Sequence, residues 1–409
     1  MRVGTPGFCG ARLREAREVR SVSAISLSEL ANVSAQAIYH YENDKTSPSP
    51  DVLDKIAHAL NLPNDFFLLP NRDSEKGTIF YRSMSTATKS ARNRAQRRTA
   101  WLRDIAGYLS EFVSLPESNF PVLSIPKDPL LLSDDEIEEA AAEVRRYWRM
   151  GEGPVANMVL LLENQGAVIA RDRLGAESLD SLSEFVAEDQ RPYIILGTDK
   201  GTPARWRFDA AHELGHIILH GNVSPDYLAK NELHKRIENQ AHRFAAAFLL
   251  PLAPFGDDLF AANLDAFRAI KPKWKASVGM MIMRARHAGL LSESAERNLW
   301  ISYSRRKWRQ REPFDDSMEI EEPRLLRRGF ELVLKSGGQT PADVTTRLGL
   351  PTFDIESMAG LPEGYLTDYA RVTLLRGWPS RTSTVKDQVE DPTATPARVI
   401  QIQPRRRTR

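Results

Sequence analysis

Two histidines separated by three residues, the first followed directly by a glutamate, form the segment Ala211-His212-Glu213-Leu214-Gly215-His216. On a helix, residues four apart share one face about one turn apart. Both imidazoles can therefore reach one zinc ion, and Glu213 can reach water held at that ion. The chemistry such a set performs is hydrolysis. Five of the eight histidines lie between residues 212 and 242, and Phe208, Ala210, Ala211, Ile217, Ile218 and Leu219 flank the pattern with apolar side chains suited to burial. A catalytic zinc takes three protein ligands and keeps one position open. Glu238 is the favoured third ligand; His234 and His242, each four residues from it, are rivals, and Glu232 is a weaker one.

These side chains need two helices. The first spans about Thr202 to His220. The second spans His234 to Leu250, with Ala241, Phe244, Ala245, Phe248 and Leu249 on its apolar side and Pro251 ending it; a loop containing Gly221 and Pro225 lets it fold back over the first. Upstream, Ser133 can cap an acidic helix over Asp134 to Trp148, Val155 to Gln165 reads as another helix, and Ala167 to Ala170 as an apolar strand. Tyr193 to Leu196 reads as a strand with one buried face. Its place just before the histidine helix makes it the candidate for pairing with an extended substrate by strand addition.

Residues 9–68 have a different character. Leu13, Ala16 and Val19 mark one helical face, Ser26 to Ala31 forms a second short helix, and Asn32-Val33 turns into a third helix capped by Ser34 and running through Ile38 and Tyr41. After a loop from Asn43 to Pro50, Val52, Leu53, Ile56, Ala57 and Leu60 repeat at helical spacing until Leu62-Pro63. A short helix, a tight turn and an amphipathic helix that can enter a major groove make a helix-turn-helix. The segment resembles a Cro-repressor or xenobiotic-response-element type helix-turn-helix, carried by Leu30-Ala31, Ser34, Ile38, Tyr41-Glu42-Asn43, Lys45, Pro48, Leu53 and Ile56-Ala57. That resemblance implies binding to double-stranded DNA. It aims Ala35, Gln36, Tyr39 and His40 at the groove, with Gln36 the best base reader and Lys45 and Thr46 placed for phosphates.

The 409 residues are 42% hydrophobic and 27% charged, enough apolar chain for two or three packed domains, which excludes disorder throughout. Cys9, the single cysteine, cannot form an internal disulfide, and no apolar run reaches the length of a membrane span. With a charged start lacking a signal-peptide core, these features point to the cytoplasm. The net charge of +2 hides a pattern: −1 over residues 1–70, +7 over 71–103, −8 over 104–303 and +4 over 304–409. Arg82, Lys89, Arg92, Arg94, Arg97, Arg98 and Arg103 occur with no acid between them, a stretch able to neutralise phosphates or to serve as a solvated linker helix.

The stretch Arg207 to Pro251, with Arg-Phe-x-x-Ala-His-Glu-Leu-Gly-His at 207–216 and Glu-x-x-Ala-x-x-Phe-Ala-x-x-Phe-Leu-Leu-Pro at 238–251, resembles the ImmA/IrrE metallopeptidases. The resemblance implies a zincin fold, His212, His216 and Glu238 as zinc ligands, Glu213 as catalytic acid and base, and repressor proteins as substrates. This chain departs from the family at Gln240, where a second glutamate is common, and at His242, where an asparagine is common.

The expected architecture is mainly α, with an N-terminal all-α helix-turn-helix domain (1–70) and a basic connector with an amphipathic helix (71–130). A small α+β zincin-like peptidase domain (131–303), a helical C-terminal region (304–376) and a disordered basic tail (377–409) follow. In the C-terminal region, Leu325 to Leu334 reads as an amphipathic helix, and Thr340 to Leu350 and Pro351 to Ala359 as two short helices, with a second DNA reader the less favoured reading. The expected function is a DNA-binding regulator, without membrane attachment and able to form a homodimer, whose zinc endopeptidase cleaves a repressor or itself. The alternatives are a transcription factor whose zincin-like part only senses or dimerises, and an antitoxin-like repressor that binds DNA and protein.

Overall fold

The computed structural model describes residues 4–70, 78–81, 88–126, 128–175, 180–186, 191–199, 201–221, 223, 231–336 and 338–367. Arg82 and the tail from 377 onward lie outside the described residues.

Four short helices open the chain: α1 Gly10–Val19, α2 Ala24–Ala31, α3 Ala35–Glu42 and α4 Pro50–Leu60. The Ser34 side chain caps α3 by accepting from the Ala37 N–H, and Ser23 caps α2 by accepting from the Ser26 N–H, so that α2 starts at Ala24, two residues before the start expected from the sequence. Asn32 makes the tight turn in the left-handed region, at φ 55° and ψ 51°. Ile38 is fully buried while Ala35, Gln36 and Tyr39 are exposed, so α3 anchors by one side and presents the other.

The following segments are β1 Thr78–Tyr81, α5 Lys89–Ser110, α6 Asp134–Tyr147, α7 Met158–Asn164, β2 Val168–Asp172, β3 Ser181–Val186 and β4 Arg191–Gly197. Ser133 and Glu136 close a capping box at the start of α6. Then come α8 Pro203–His220, α9 Asn231–Leu249, α10 Leu252–Asp258, α11 Leu264–Trp274, α12 Val278–His287 and α13 Glu293–Arg305. The last described helices are α14 Leu325–Lys335, α15 Pro341–Leu348 and α16 Thr352–Ala359. No helix among the described residues is long and apolar enough to cross a membrane.

The four strands form one sheet in the order β1-β3-β4-β2, with β2 parallel to β4 and the other pairs antiparallel. Its two faces serve two cores. Val168, Ala170, Leu182, Tyr193 and Ile195 pack with the N-terminal helices, α5 and α14–α16, whereas Ala167, Ile169, Ile194 and Leu196 pack with α6–α9 and α11–α13. That split follows from the two-residue period of strands. The topology corrects the expectation for Tyr193 to Leu196. Strand β4 has β3 on one side and β2 on the other, so its backbone groups are already paired and cannot receive a substrate strand. Strands β1 and β3 were not foreseen.

The basic stretch is also corrected. Arg97 pairs with Glu18 of α1 at 2.8 Å, Arg103 lies 3.5 Å from Glu184 of β3, and Arg98, 3% exposed, meets Asp172 of β2 and Asp354 of α16 at 2.5 Å each. Arg20, at the end of α1, holds the same Asp354 at 2.6 Å. Arg94 donates to the Arg173 carbonyl oxygen. These guanidinium groups neutralise carboxylates or satisfy carbonyls of their own chain, and α5 is a core helix: Trp101, Leu102, Ile105 and Leu109 are fully buried. A run of like charge in sequence is dispersed because the helix turns its residues toward four different acidic elements.

At the other end of the chain, α14–α16 reproduce the pattern of α1–α3. Leu27, Ala31, Val33 and Ile38 correspond to Val344, Leu348, Leu350 and Ile355, each 317 positions further on. Gly349 occupies the turn position of Asn32, also left-handed, at φ 64° and ψ 14°. This second unit is turned inward. Asp354 is spent on Arg20 and Arg98, and the Glu356 carboxylate accepts from the N–H groups of Gly364 and Leu366. Asp354 and Glu356 of the helix equivalent to α3 are therefore buried against protein, whereas Phe353, at the position of Gln36, is exposed.

Candidate metal centre and nucleic-acid interface

Helix α8 starts at its Thr202 cap, which accepts from the Arg205 N–H, and places His212 and His216 one turn apart. Helix α9 crosses it at Gly215. A Cβ there would lie 3.1 Å from Cα and O of Ala241 and 3.2 Å from Phe244, so the absent side chain sets how closely the helices approach. That approach brings Glu238 to the histidines. Nε2 of His212 and Nε2 of His216 are 3.0 Å apart, and the Glu238 carboxylate oxygens lie 3.4 Å from the first and 3.2 Å from the second. Three ligands of a tetrahedral zinc at ordinary bond lengths of about 2.0–2.1 Å stand roughly 3.3 Å apart. The triangle matches that spacing.

The protonation pattern fits a cation as well. The Pro129 carbonyl can only accept, so the Gln240 amide nitrogen donates to it, at 2.6 Å, and the Gln240 Oε1 faces Nε2 of His220, at 3.1 Å. Nε2 of His220 is therefore the donor, its Nδ1 accepts from Nδ1–H of His216 at 3.1 Å, and Nε2 of His216 is left with a lone pair directed at the triangle. Burial pushes His220 down to about 3, so it stays neutral in this relay. Burial, with His242 beside it, holds His212 well below the usual imidazole range. Imidazole lone pairs beside a carboxylate are a cradle for a positive ion.

Glu213 points from α8 to the sheet. Its two oxygens accept from Oγ of Ser181 and Oγ of Ser183, both at 2.5 Å. Those serines pair across β4 with Leu196 and Ile194, which face α8, so register alone aims both hydroxyls at the glutamate. Burial raises the Glu213 pKa, opposed by His216 and by the two serine bonds.

Of the rivals for third ligand, His234 stands outside the triangle, its Nδ1 3.9 Å from Glu238, and Glu232 is exposed. His242 lies beside the triangle, and a ligand atom from each of His212, Glu238 and His242 falls within 4.8 Å of the others. Sequence reading missed Ser181, Ser183, His220 and Gln240. The alternation Ser-Leu-Ser-Glu-Phe and the four-residue step from His216 to His220 were the available signals.

In the N-terminal unit, Gln36, Tyr39, Lys45 and Thr46 are exposed and His40 is half-buried. The Lys45 ammonium rests 5.3 Å from the Tyr39 ring centre, joining the loop to the exposed side of α3.

A helix-turn-helix unit at one end and a two-helix centre of the zincin type against a small sheet define a two-part chain. The comparisons with known proteins agree. The helix-turn-helix family model matches residues 13–67, and the model described as IrrE N-terminal-like domain, a peptidase family, matches residues 162–286. Two archaeal proteins described as HTH-type transcriptional regulatory proteins, from Methanocaldococcus jannaschii and Methanococcus maripaludis strain C5, are 44% and 43% identical over 54 residues. That is 13% of this chain, and the chain spans only 17% of the length of either relative. The chain thus carries an N-terminal helix-turn-helix domain and an IrrE-like domain.

Proposed function

We propose that this protein is a DNA-binding transcriptional regulator with a zinc-dependent endopeptidase centre that cleaves a protein substrate, either a repressor or the chain itself. The observation that carries the peptidase half is the convergence of His212, His216 and Glu238 next to a buried, serine-held Glu213. DNA binding rests on the exposed side of α3, with Gln36 and Tyr39, partly His40, directed at bases and Lys45 and Thr46 at phosphates. Residues 1–70 form the reading unit in this proposal and 131–303 the peptidase.

His212, His216 and Glu238 would hold zinc, which supplies a Lewis acid that activates water and polarises a scissile carbonyl. Glu213 takes the proton from the attacking water. Its burial-raised pKa makes it a stronger base than an exposed glutamate, and the two serine hydroxyls keep it ionised and fixed in direction. The same carboxyl then delivers the proton to the leaving amine.

The test is cleavage of candidate repressors, and of the chain itself, with and without chelator. Chelator-sensitive cleavage that disappears in Glu213→Gln, with metal content unchanged, is the expected result. Equal cleavage by the Glu213→Gln chain would remove Glu213 from the chemistry. Metal binding without cleavage of any partner would favour the sensor reading.

A further inference from the structure

His242 occupies the place where the family resemblance would put an asparagine, and its surroundings give it a defined role. It sits on α9 one turn beyond Glu238, so both side chains leave the helix on the same face. Nδ1 of His242 lies 2.6 Å from the backbone carbonyl oxygen of Glu238. A carbonyl only accepts, so Nδ1 carries the proton, and in the neutral ring Nε2 keeps its lone pair. In that tautomer Nε2 can bind a metal but cannot donate a hydrogen bond to a reacting oxygen. The ring centre is 4.4 Å from that of His212, and the Phe208 ring lies 5.6 Å away. His242 also lines a cleft of about 1070 Å³ with Thr202, Arg205, Phe208 and Met280. It therefore stands between the ligand triangle and the cleft from which a substrate would arrive.

We propose that His242 is a fourth protein ligand at this centre, and that the resting site is closed. Three imidazoles and one carboxylate would make a four-donor set, the number found in metal sites without an open position. A peptide carbonyl or water gains access only when His242 leaves, which makes this residue the gate of the centre. The inference rests on the reading of His212, His216 and Glu238 as metal ligands and adds the resting state of that site.

The experiment uses the full-length chain loaded with one equivalent of Zn²⁺ or Co²⁺. Zinc-edge X-ray absorption should count three imidazole ligands in the wild-type chain and two in His242→Asn. The visible spectrum of the Co²⁺ form should change on the same substitution, and zinc affinity in competition with a chelator should fall at least about 10-fold. His242→Gln serves as a second variant should the first fail to fold. Two imidazoles in the wild-type chain, with spectra and affinity unmoved in both variants, would overturn the gate while leaving the three-ligand centre in place. A wild-type chain that binds metal no better than His212→Ala would overturn both.

Discussion

Nδ1 of His216 stands 3.1 Å from Nδ1 of His220, which joins one corner of the ligand triangle to a polar relay ending at the Pro129 carbonyl. In the proposed centre, where a metal ligand is oriented by the bond its other ring nitrogen makes, His220 and Gln240 would act as positioning residues. Replacing His220 by Ala, or Gln240 by Leu, should weaken zinc binding about 10–100-fold with helicity intact, as read by chelator competition and circular dichroism. Unchanged affinity in both would show that the relay does not orient His216.

The serine pair on β3 makes a separate prediction. Ser181→Ala with Ser183→Ala removes the two hydrogen bonds that hold the Glu213 pKa down. The carboxyl then titrates at higher pH, and the acidic limb of the pH–rate profile for cleavage should move upward while metal content stays the same. An unmoved limb would mean that Glu213 is not the group that titrates in catalysis.

Arg98 joins three elements and is buried with both of its carboxylate partners. Arg98→Ala should cost about 3–5 kcal/mol in denaturant unfolding, because Asp172 loses its counter-charge in the interior and Asp354 is left with Arg20 alone. Arg146→Ala, which breaks an exposed pair with Glu139, should cost less than about 1 kcal/mol. The same geometry separates the DNA contributions. Lys45→Ala should lower the salt dependence of DNA binding by about one phosphate contact, whereas Arg97→Ala, already neutralised by Glu18, should leave it unchanged.

Glu163 of α7 is fully buried and accepts from the N–H groups of Arg324 and Leu325, holding the start of α14. Burial pushes its pKa up from 4.5 to about 7. Between those values the folded chain holds a proton that the unfolded chain has released, so stability falls as pH rises from about 4.5 through about 7. The loss attributable to this group is about 3 kcal/mol and is complete above pH 7. In Glu163→Gln that component should vanish, and the difference in unfolding free energy between the two chains across this range measures it.

Local chemistry was legible in the residues themselves. The step from His212 to His216, the Ser34 cap, the Asn32 turn and the Ser133 cap each depend on neighbours within a few positions, and the helical period is enough to find them. The apolar rows of α8 and α9 likewise announced two helices that must pack. Distance along the chain concealed the rest. Which of Glu238, His234 and His242 meets the histidines depends on where α9 crosses α8, a choice made at Gly215 by the backbone of Ala241. The pairing of Ser181 and Ser183 with Glu213 depends on strand register, and the fate of the connector arginines on carboxylates that lie on α1, β2, β3 and α16, far away in sequence. Spacing along a helix is a local property and can be read directly. The juxtaposition of separate elements is set by close packing and by the need to pair buried charge, and only the tertiary structure decides it.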